Sequence, residues 1–310
     1  MTVPLILTNC TNRKRGSVSE ELSARSLAKG SYKVVSSEWV RRVEAAPKNT
    51  PAQHVYCGRA VTETLQAARA VNAQVAFVSA GLGVVRAEEP IPAYTLTSSG
   101  DGADSIRSRV TEPYSPARWW GALMQARRDA HSLARVIDAK RWTLILVALP
   151  ASYLQMVGEA LAELPARQRQ TLRIIGPRRE EEVPEVLRAQ WLPYDDRLDN
   201  PQSGFNGTTA DFPHRALRHF VAHLPAIRLL QPAGEHRGAV EEWIGTFAPY
   251  VRSRGATATD EQVLAVIARL WDRCAGHRAR VLRELRDHSG VACEQSRFRR
   301  LADRYEAQRV

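Results

Sequence analysis

Along the first 225 residues, short apolar runs alternate with segments whose apolar residues recur every three or four positions. The runs Val3–Thr8, Val75–Ser79, Trp142–Leu149 and Leu172–Ile175 read as strands, because brief apolar stretches bounded by polar turns suit a strand covered on both faces. Between them, Arg59–Val71, Pro116–Ala139 and Ser152–Leu164 carry the helical period. This alternation predicts an α/β domain over residues 1–225, a mostly parallel four-stranded central sheet flanked by helices. A helix around Ser37–Ala46, ending at Pro47, and another over His214–His223 complete it. Two long polar stretches, 86–116 with GDGAD at 100–104 and Pro193–Pro213, are expected to be functional or mobile loops. Leu224–Arg237, with two prolines and Gly234, reads as a linker. Beyond it, Glu241–Tyr250, Asp260–Arg273, His277–His288 and Glu294–Gln308 predict an all-helical domain over 239–310.

Charge changes the picture. The net charge is +11, and the cations cluster: the first sixty residues hold ten Lys or Arg against four acids, and the stretch after Gly276 holds nine against five. Such an excess points to a polyanionic partner, nucleic acid above all. In the tail a glycine-containing turn separates two helices, and Arg297, Arg299 and Arg300 fall near the start of the second. Helix–turn–helix modules place base-reading side chains there, although a packing bundle with arginines facing water has the same pattern. No run approaches eighteen apolar residues and the N-terminus lacks a signal-peptide layout, so a cytoplasmic protein without a membrane partner is expected. No obligate protein partner is evident. Cys10, Cys57, Cys274 and Cys293 match no metal-ligand spacing, which predicts free thiols and no metal.

The candidate chemistry begins where the first strand ends. Thr8, Asn9, Cys10, Thr11 and Asn12 lead into Arg13, Lys14 and Arg15. A parallel strand delivers such residues to the carboxyl edge of the sheet, where open α/β folds bind ligands, and this set suits an anion with hydrogen-bonding groups, such as a nucleotide. The second segment runs from Ser79 to Tyr94. There Gly81 and Gly83 allow close backbone approach, and Arg86, Glu88 and Tyr94 are expected near the same edge. Plain structural readings stand beside these: Asn9 as a helix cap, Glu88 as a surface acid, Tyr94 as core.

The succession Thr8-Asn9-Cys10-Thr11 with Lys14, then Tyr56 and Gly58, then Ser79, Leu82, Gly83, Glu88, Pro92 and Tyr94 resembles a branch of the uracil-DNA-glycosylase-like superfamily. That branch includes the glycosylase-like domain of archaeosine synthases, phage-defence glycosylases of modified cytosine, and bacterial proteins related to the peroxide-stress DNA-binding family. The likeness covers about the first hundred residues in motif. The resemblance implies a monofunctional, cofactor-free DNA glycosylase that everts a nucleotide and hydrolyses its N-glycosidic bond. On that basis the catalytic candidates are Asn9, Glu88 and Asp211. The base pocket would draw on Thr8, Cys10, Tyr56, Ser79, Gly81, Gly83, Tyr94 and His214. Arg13, Lys14, Arg15, Arg86, Arg178, Arg179, Arg297, Arg299 and Arg300 would hold DNA. The chain lacks the GQDPYH-like and HPSPLS-like motifs of uracil glycosylases, so the implied substrate is a bulkier base in phage DNA, with glucosylated hydroxymethylcytosine the named candidate. An RNA or deazaguanine modification enzyme, and a non-enzymatic DNA-binding stress protein, are the competing readings.

Overall fold

Leu5, Ile6, Leu7 and Thr8 are each at most 2% exposed, and a strand so buried needs neighbours on both edges as well as cover on both faces. The computed structural model, which describes residues 3–100, 102–223, 231–250 and 256–309, supplies them. Its central strands are β1 (Leu5–Asn9), β2 (Gln74–Ser79), β3 (Gly83–Arg86), β4 (Ile145–Ala148) and β5 (Leu172–Ile175). They lie in the order β3-β2-β1-β4-β5. β1 pairs in parallel with β2 and β4, and β4 in parallel with β5.

The four expected strands are all present, but the sheet has five. The additional strand, β3, folds back antiparallel on β2, pairing Ser79 with Gly83 and Ala76 with Arg86. Ser79 Oγ accepts from the backbone N–H groups of Gly81 and Leu82 at 3.2 and 2.9 Å, which closes the reversal. Gly83 takes a φ of +78° there, a conformation that favours glycine. The segment that reads as a ligand loop is therefore a hairpin whose Val84 and Val85 are core.

Two layers of helices cover the sheet. In chain order the longer helices of this unit are α1 (Tyr32–Ala45), α2 (Arg59–Ala70), α3 (Pro116–Ala126), α4 (Leu133–Asp138), α5 (Ala151–Ala162), α6 (Phe212–His223) and α7 (Ala233–Gly245). α2 and α6 pack as a pair against the strands, while α3 packs on both α1 and α5. The single helix expected over Pro116–Ala139 is two, because Arg128 and Asp129 adopt φ values of 51° and 55° between α3 and α4. Stretch 86–116 is irregular but tied down. Thr95 accepts from the Ala24 N–H and donates to the Leu22 carbonyl, Gly30 donates to the Arg109 carbonyl and accepts from the Thr111 N–H, and Leu96, Ile106 and Val110 are buried.

The chain divides into two compact units, Met1–Tyr250 and Val251–Val310. Helix α7, placed by the sequence pattern partly in a linker and partly in the tail, belongs to the first. Its His236 accepts from buried Arg173 of β5 at 2.7 Å, and Trp243 packs on His219 and His223 of α6. Residues 224–230 of the expected linker lie outside the described residues. The second unit is α8 (Asp260–Trp271), α9 (Arg278–Asp287) and α10 (Gln295–Arg309) around Val263, Ile267, Leu270, Val281, Leu285, Phe298 and Leu301. It is helical, with one small addition: Ala256–Thr257 and Val291–Ala292 pair as a two-stranded parallel ribbon.

Backbone approach is closest at Gly176, after β5. Its φ is +139°, and a Cβ there would sit 2.1 Å from the Leu149 carbonyl oxygen and 3.0 Å from Pro213. Gly176→Ala is expected to cost at least about 2 kcal/mol in urea unfolding. Gly204→Ala, at a φ of +70° with open space around it, should cost about 1 kcal/mol. Equal costs would show that the Leu149–Gly176 contact is not a constraint.

Candidate functional site at the carboxyl rim

The four parallel strands end at one edge with Ser79, Asn9, Ala148 and Ile175. From β1 the chain passes to β2 on one side, and it later enters β4 on the other. The gap between β1 and β4 is thus the switch point at which open sheets hold ligands.

Asn9 stands at that gap. Its Nδ2 donates to the Cys10 carbonyl at 2.9 Å, which fixes the amide, while its Oδ1 is buried with no hydrogen-bond partner among the described residues. An unsatisfied buried acceptor costs about 1–3 kcal/mol. Cys10 is 4% exposed, and its Sγ lies 3.1 Å from the hydroxyl of Tyr153 in the first turn of α5. Desolvation pushes the Tyr153 phenol pKa well up, so it stays protonated. Sequence reading missed Tyr153, which looks like any residue of an amphipathic helix. The signal was its place three residues after Pro150, directly past β4.

On the β2 side a hydrogen-bond chain links Tyr56, Tyr94 and Ser79, with oxygens 2.9 and 2.6 Å apart. Lys14 closes over it: Nζ lies 4.2 Å from the Tyr94 ring centre and donates to the Thr11 carbonyl at 2.9 Å. Burial lowers the Lys14 pKa, against the opposing effect of the Cys10 thiol. Asn9, Cys10, Lys14, Tyr56, Ser79 and Tyr94 therefore do converge from separate segments. Arg13 and Arg15 are exposed beside them, and their guanidinium groups have no ion-pair partner among the described residues.

Several expected roles change. Tyr56 and Tyr94 are 1% and 0% exposed, packed on Phe77 and Trp39, so neither offers an open stacking face. A Cβ on Gly81 would lie 2.9 Å from Tyr94, and one on Gly83 2.8 Å from the His131 carbonyl, so protein already fills the space kept open for a ligand. Thr8 turns to Thr64 of α2 at 3.4 Å. Glu88 is exposed and leaves the rim altogether, because β3 runs back toward the amino edge, where Arg86 faces Ala76 and reaches Gln74. The carboxylate expected opposite Asn9 is not there.

Asp211 is at the start of α6, locked into an ion-pair knot. Its Oδ1 accepts from Arg215 at 2.7 Å and from the Thr208 N–H at 2.8 Å, and its Oδ2 lies 3.7 Å from Arg59. Arg215 is fully buried and also reaches Asp199 at 2.8 Å. Arg178 stacks 3.7 Å over the Phe212 ring and pairs with Asp196 and, at 2.9 Å, Asp199. Arg178 is thus neutralised within the fold, and Arg179 is an exposed residue 3.2 Å from Glu182. In the second unit Arg297 and Arg300 both pair with Asp260, at 2.7 and 3.5 Å, leaving Arg299 exposed.

His214 is fully buried, and neither ring nitrogen has a well-aligned hydrogen-bond partner among the described residues. Burial lowers its pKa to about 4, so it is neutral at pH 7. Burial, helped by His223, lowers that of His219 to about 3. Among the described residues no three His, Cys, Asp or Glu gather as a metal-holding group, and no helix is long and apolar enough to cross a membrane. The cysteines are free thiols. Two hollows of the first unit, one of about 500 Å³ beside Ser19 and Pro47 and one of about 620 Å³ beside Thr143 and Gln190, are lined by none of these rim residues. No protein family, characterised protein or solved structure matches the chain.

A histidine whose pKa falls on folding binds its proton more readily when unfolded. Stability contributed by neutral His214 is complete above pH 6.5 and is lost as pH drops toward 4. The unfolding free energy should therefore fall over that window, by about 2–3 kcal/mol for this residue. His214→Leu, which removes two poorly partnered nitrogens, should flatten that part of the profile at little cost at pH 7. An unchanged slope would show that His214 titrates normally.

Proposed function

We propose that the first unit is a DNA glycosylase of the uracil-DNA-glycosylase-like kind, acting on a modified base in double-stranded phage DNA. One observation carries the location of the chemistry: the partnerless Oδ1 of Asn9 at the β1–β4 gap. It is flanked by the Cys10–Tyr153 contact and by unpaired Arg13 and Arg15. An oriented amide with a free acceptor reads a donor edge of a base or holds a water, and unpaired arginines hold the flanking phosphates. The reaction class rests on the sequence resemblance, and the strand order, with β1 between β2 and β4, is compatible with it.

The step is hydrolysis of the bond between the sugar C1′ and the base nitrogen. The bonding pair leaves with the base, positive charge builds on the sugar, and water adds to C1′. The water's proton neutralises the departing base. Glu88 is away from the rim and Asp211 is held by Arg215 and Arg59. The water-orienting role therefore falls to Asn9, with the Lys14 ammonium as the cation nearest the leaving group. The closed packing of Tyr56 and Tyr94 requires the base to enter on the Arg13–Arg15 side, and extraction from the stack costs a few kcal/mol.

Duplexes carrying unmodified, hydroxymethylated and glucosylated cytosine, probed for alkali-labile breaks, test the reading. Breaks are expected with a modified base. Asn9→Ala should slow their formation at least about 100-fold with duplex affinity preserved, and Glu88→Gln should leave the rate unchanged. No break on any duplex would remove the glycosylase reading, and activity confined to tRNA would replace it with RNA modification.

A further inference from the structure

Residues 251–310 contain thirteen arginines and no lysine against eight acids, and the arginines are not equally engaged. Arg278 pairs with Asp303 and Glu306, Arg297 and Arg300 share Asp260, and Arg286 donates to the Cys293 carbonyl at 2.7 and 2.9 Å. Arg273, Arg280 and Arg283 make no ion pair and no side-chain hydrogen bond among the described residues. All three line one hollow of about 280 Å³ between the end of α8 and the start of α9, floored by Leu270 and buried Cys274. The one acid in its lining, Glu284, has a carboxylate oxygen 3.3 Å from His288.

Three guanidinium groups around one hollow repel one another. The first turn of α9 adds no acid, although the positive end of a helix dipole favours one there. A negatively charged occupant relieves both conditions. Guanidinium forks match phosphate oxygens in pairs, and three of them offer more donors than a single small ion can use.

We propose that this α8–α9 cleft binds the phosphate backbone of DNA. On this assignment the second unit grips DNA through Arg273, Arg280 and Arg283 rather than through the Arg297–Arg300 face, where Arg297 and Arg300 already share Asp260. The proposal stands apart from the excision reaction, because backbone contact needs no excisable base.

The test measures affinity of the full chain for a short labelled unmodified duplex across a range of salt concentrations. Replacing Arg273, Arg280 and Arg283 together by Gln is expected to weaken binding at low salt at least about tenfold, and to make the slope of log K against log salt shallower by about 2–3. Because these side chains are exposed and unpaired, the thermal midpoint should stay at the parental value. Glu284→Gln, which removes the acid from the lining, should tighten binding, a gain that misfolding cannot produce. A folded triple variant with the parental affinity and slope would overturn the assignment. So would equal parental binding of duplex and of a polyglutamate peptide, which would make the cleft a site for acidic protein segments.

Discussion

The pairing of β1 on both edges is the constraint on which the rim depends. Leu5 faces Gln74 on one side and Ile145 on the other, and this double register continues to Thr8 between Phe77 and Ala148. A slip of one residue would exchange the two faces of a strand that is buried on both, and would carry Asn9 out of the β1–β4 gap. The position of Asn9 is therefore set by the core beneath it. Cys10 continues the ladder for one more bond, to Val78 at 2.9 Å, before the chain turns into the cationic loop. The amide is placed as firmly as the sheet itself.

Buried charge organises the other half of the rim. Arg215 has no exposed surface, and Asp199 and Asp211 are at most 7% exposed. Such a group is stable only as a fully paired set, and removal of one partner typically costs about 3–5 kcal/mol. Arg173 shows another solution. Among the described residues it meets no carboxylate: its donors go to backbone carbonyls of Gln170, Leu172 and Gln231 and to His236. Burial lowers its pKa to about 10, which still leaves it charged near neutrality. This buried cation ties α7 to β5, which is why a helix that looks detached in sequence belongs to the first unit. Arginines paired with acids already cancel within the net charge of +11, whereas Arg173 adds to that sum a cation that is 2% exposed.

The strands were legible because β1, β2, β4 and β5 are buried at nearly every position, and full burial writes itself as an uninterrupted apolar run. β3 was not, because only its two valines are apolar and the preceding Gly-Leu-Gly reads equally as a turn or a ligand loop. That single reversal moved Arg86 and Glu88 off the rim. α7 was obscured by its glycines and by the lack of a clear apolar stripe; its buried face includes a histidine, His236. The convergence of Asn9, Lys14 and Tyr94 was legible from strand order, whereas Tyr56 came only through the resemblance. What those residues touch was not. Whether Tyr56 presents a face to a ligand or a hydroxyl to Tyr94 depends on rotamer and packing, which periodicity does not encode. The Asp211–Arg215 pair was in principle visible as an acid and a base four apart at a helix start, a spacing that points to structure before catalysis.

The contrast between Asn9 and its neighbours bears on how a ligand would be chosen. Around it the polar groups are already spent on one another: Tyr56 on Tyr94, Tyr94 on Ser79, Cys10 on Tyr153, Lys14 on Thr11. Each of those pairs would have to be broken before it could greet a ligand, at a cost the new contact must match. Asn9 Oδ1 carries no such debt, and its amide is already oriented through Nδ2. A donor arriving there recovers the penalty of a buried unsatisfied acceptor and loses little orientational freedom on the protein side. Selectivity at such a point favours molecules that present an N–H or O–H to one fixed direction over those that merely carry charge. The exposed Arg13 and Arg15 act on a longer range and without such direction, so attraction and discrimination are divided between adjacent residues of a single loop.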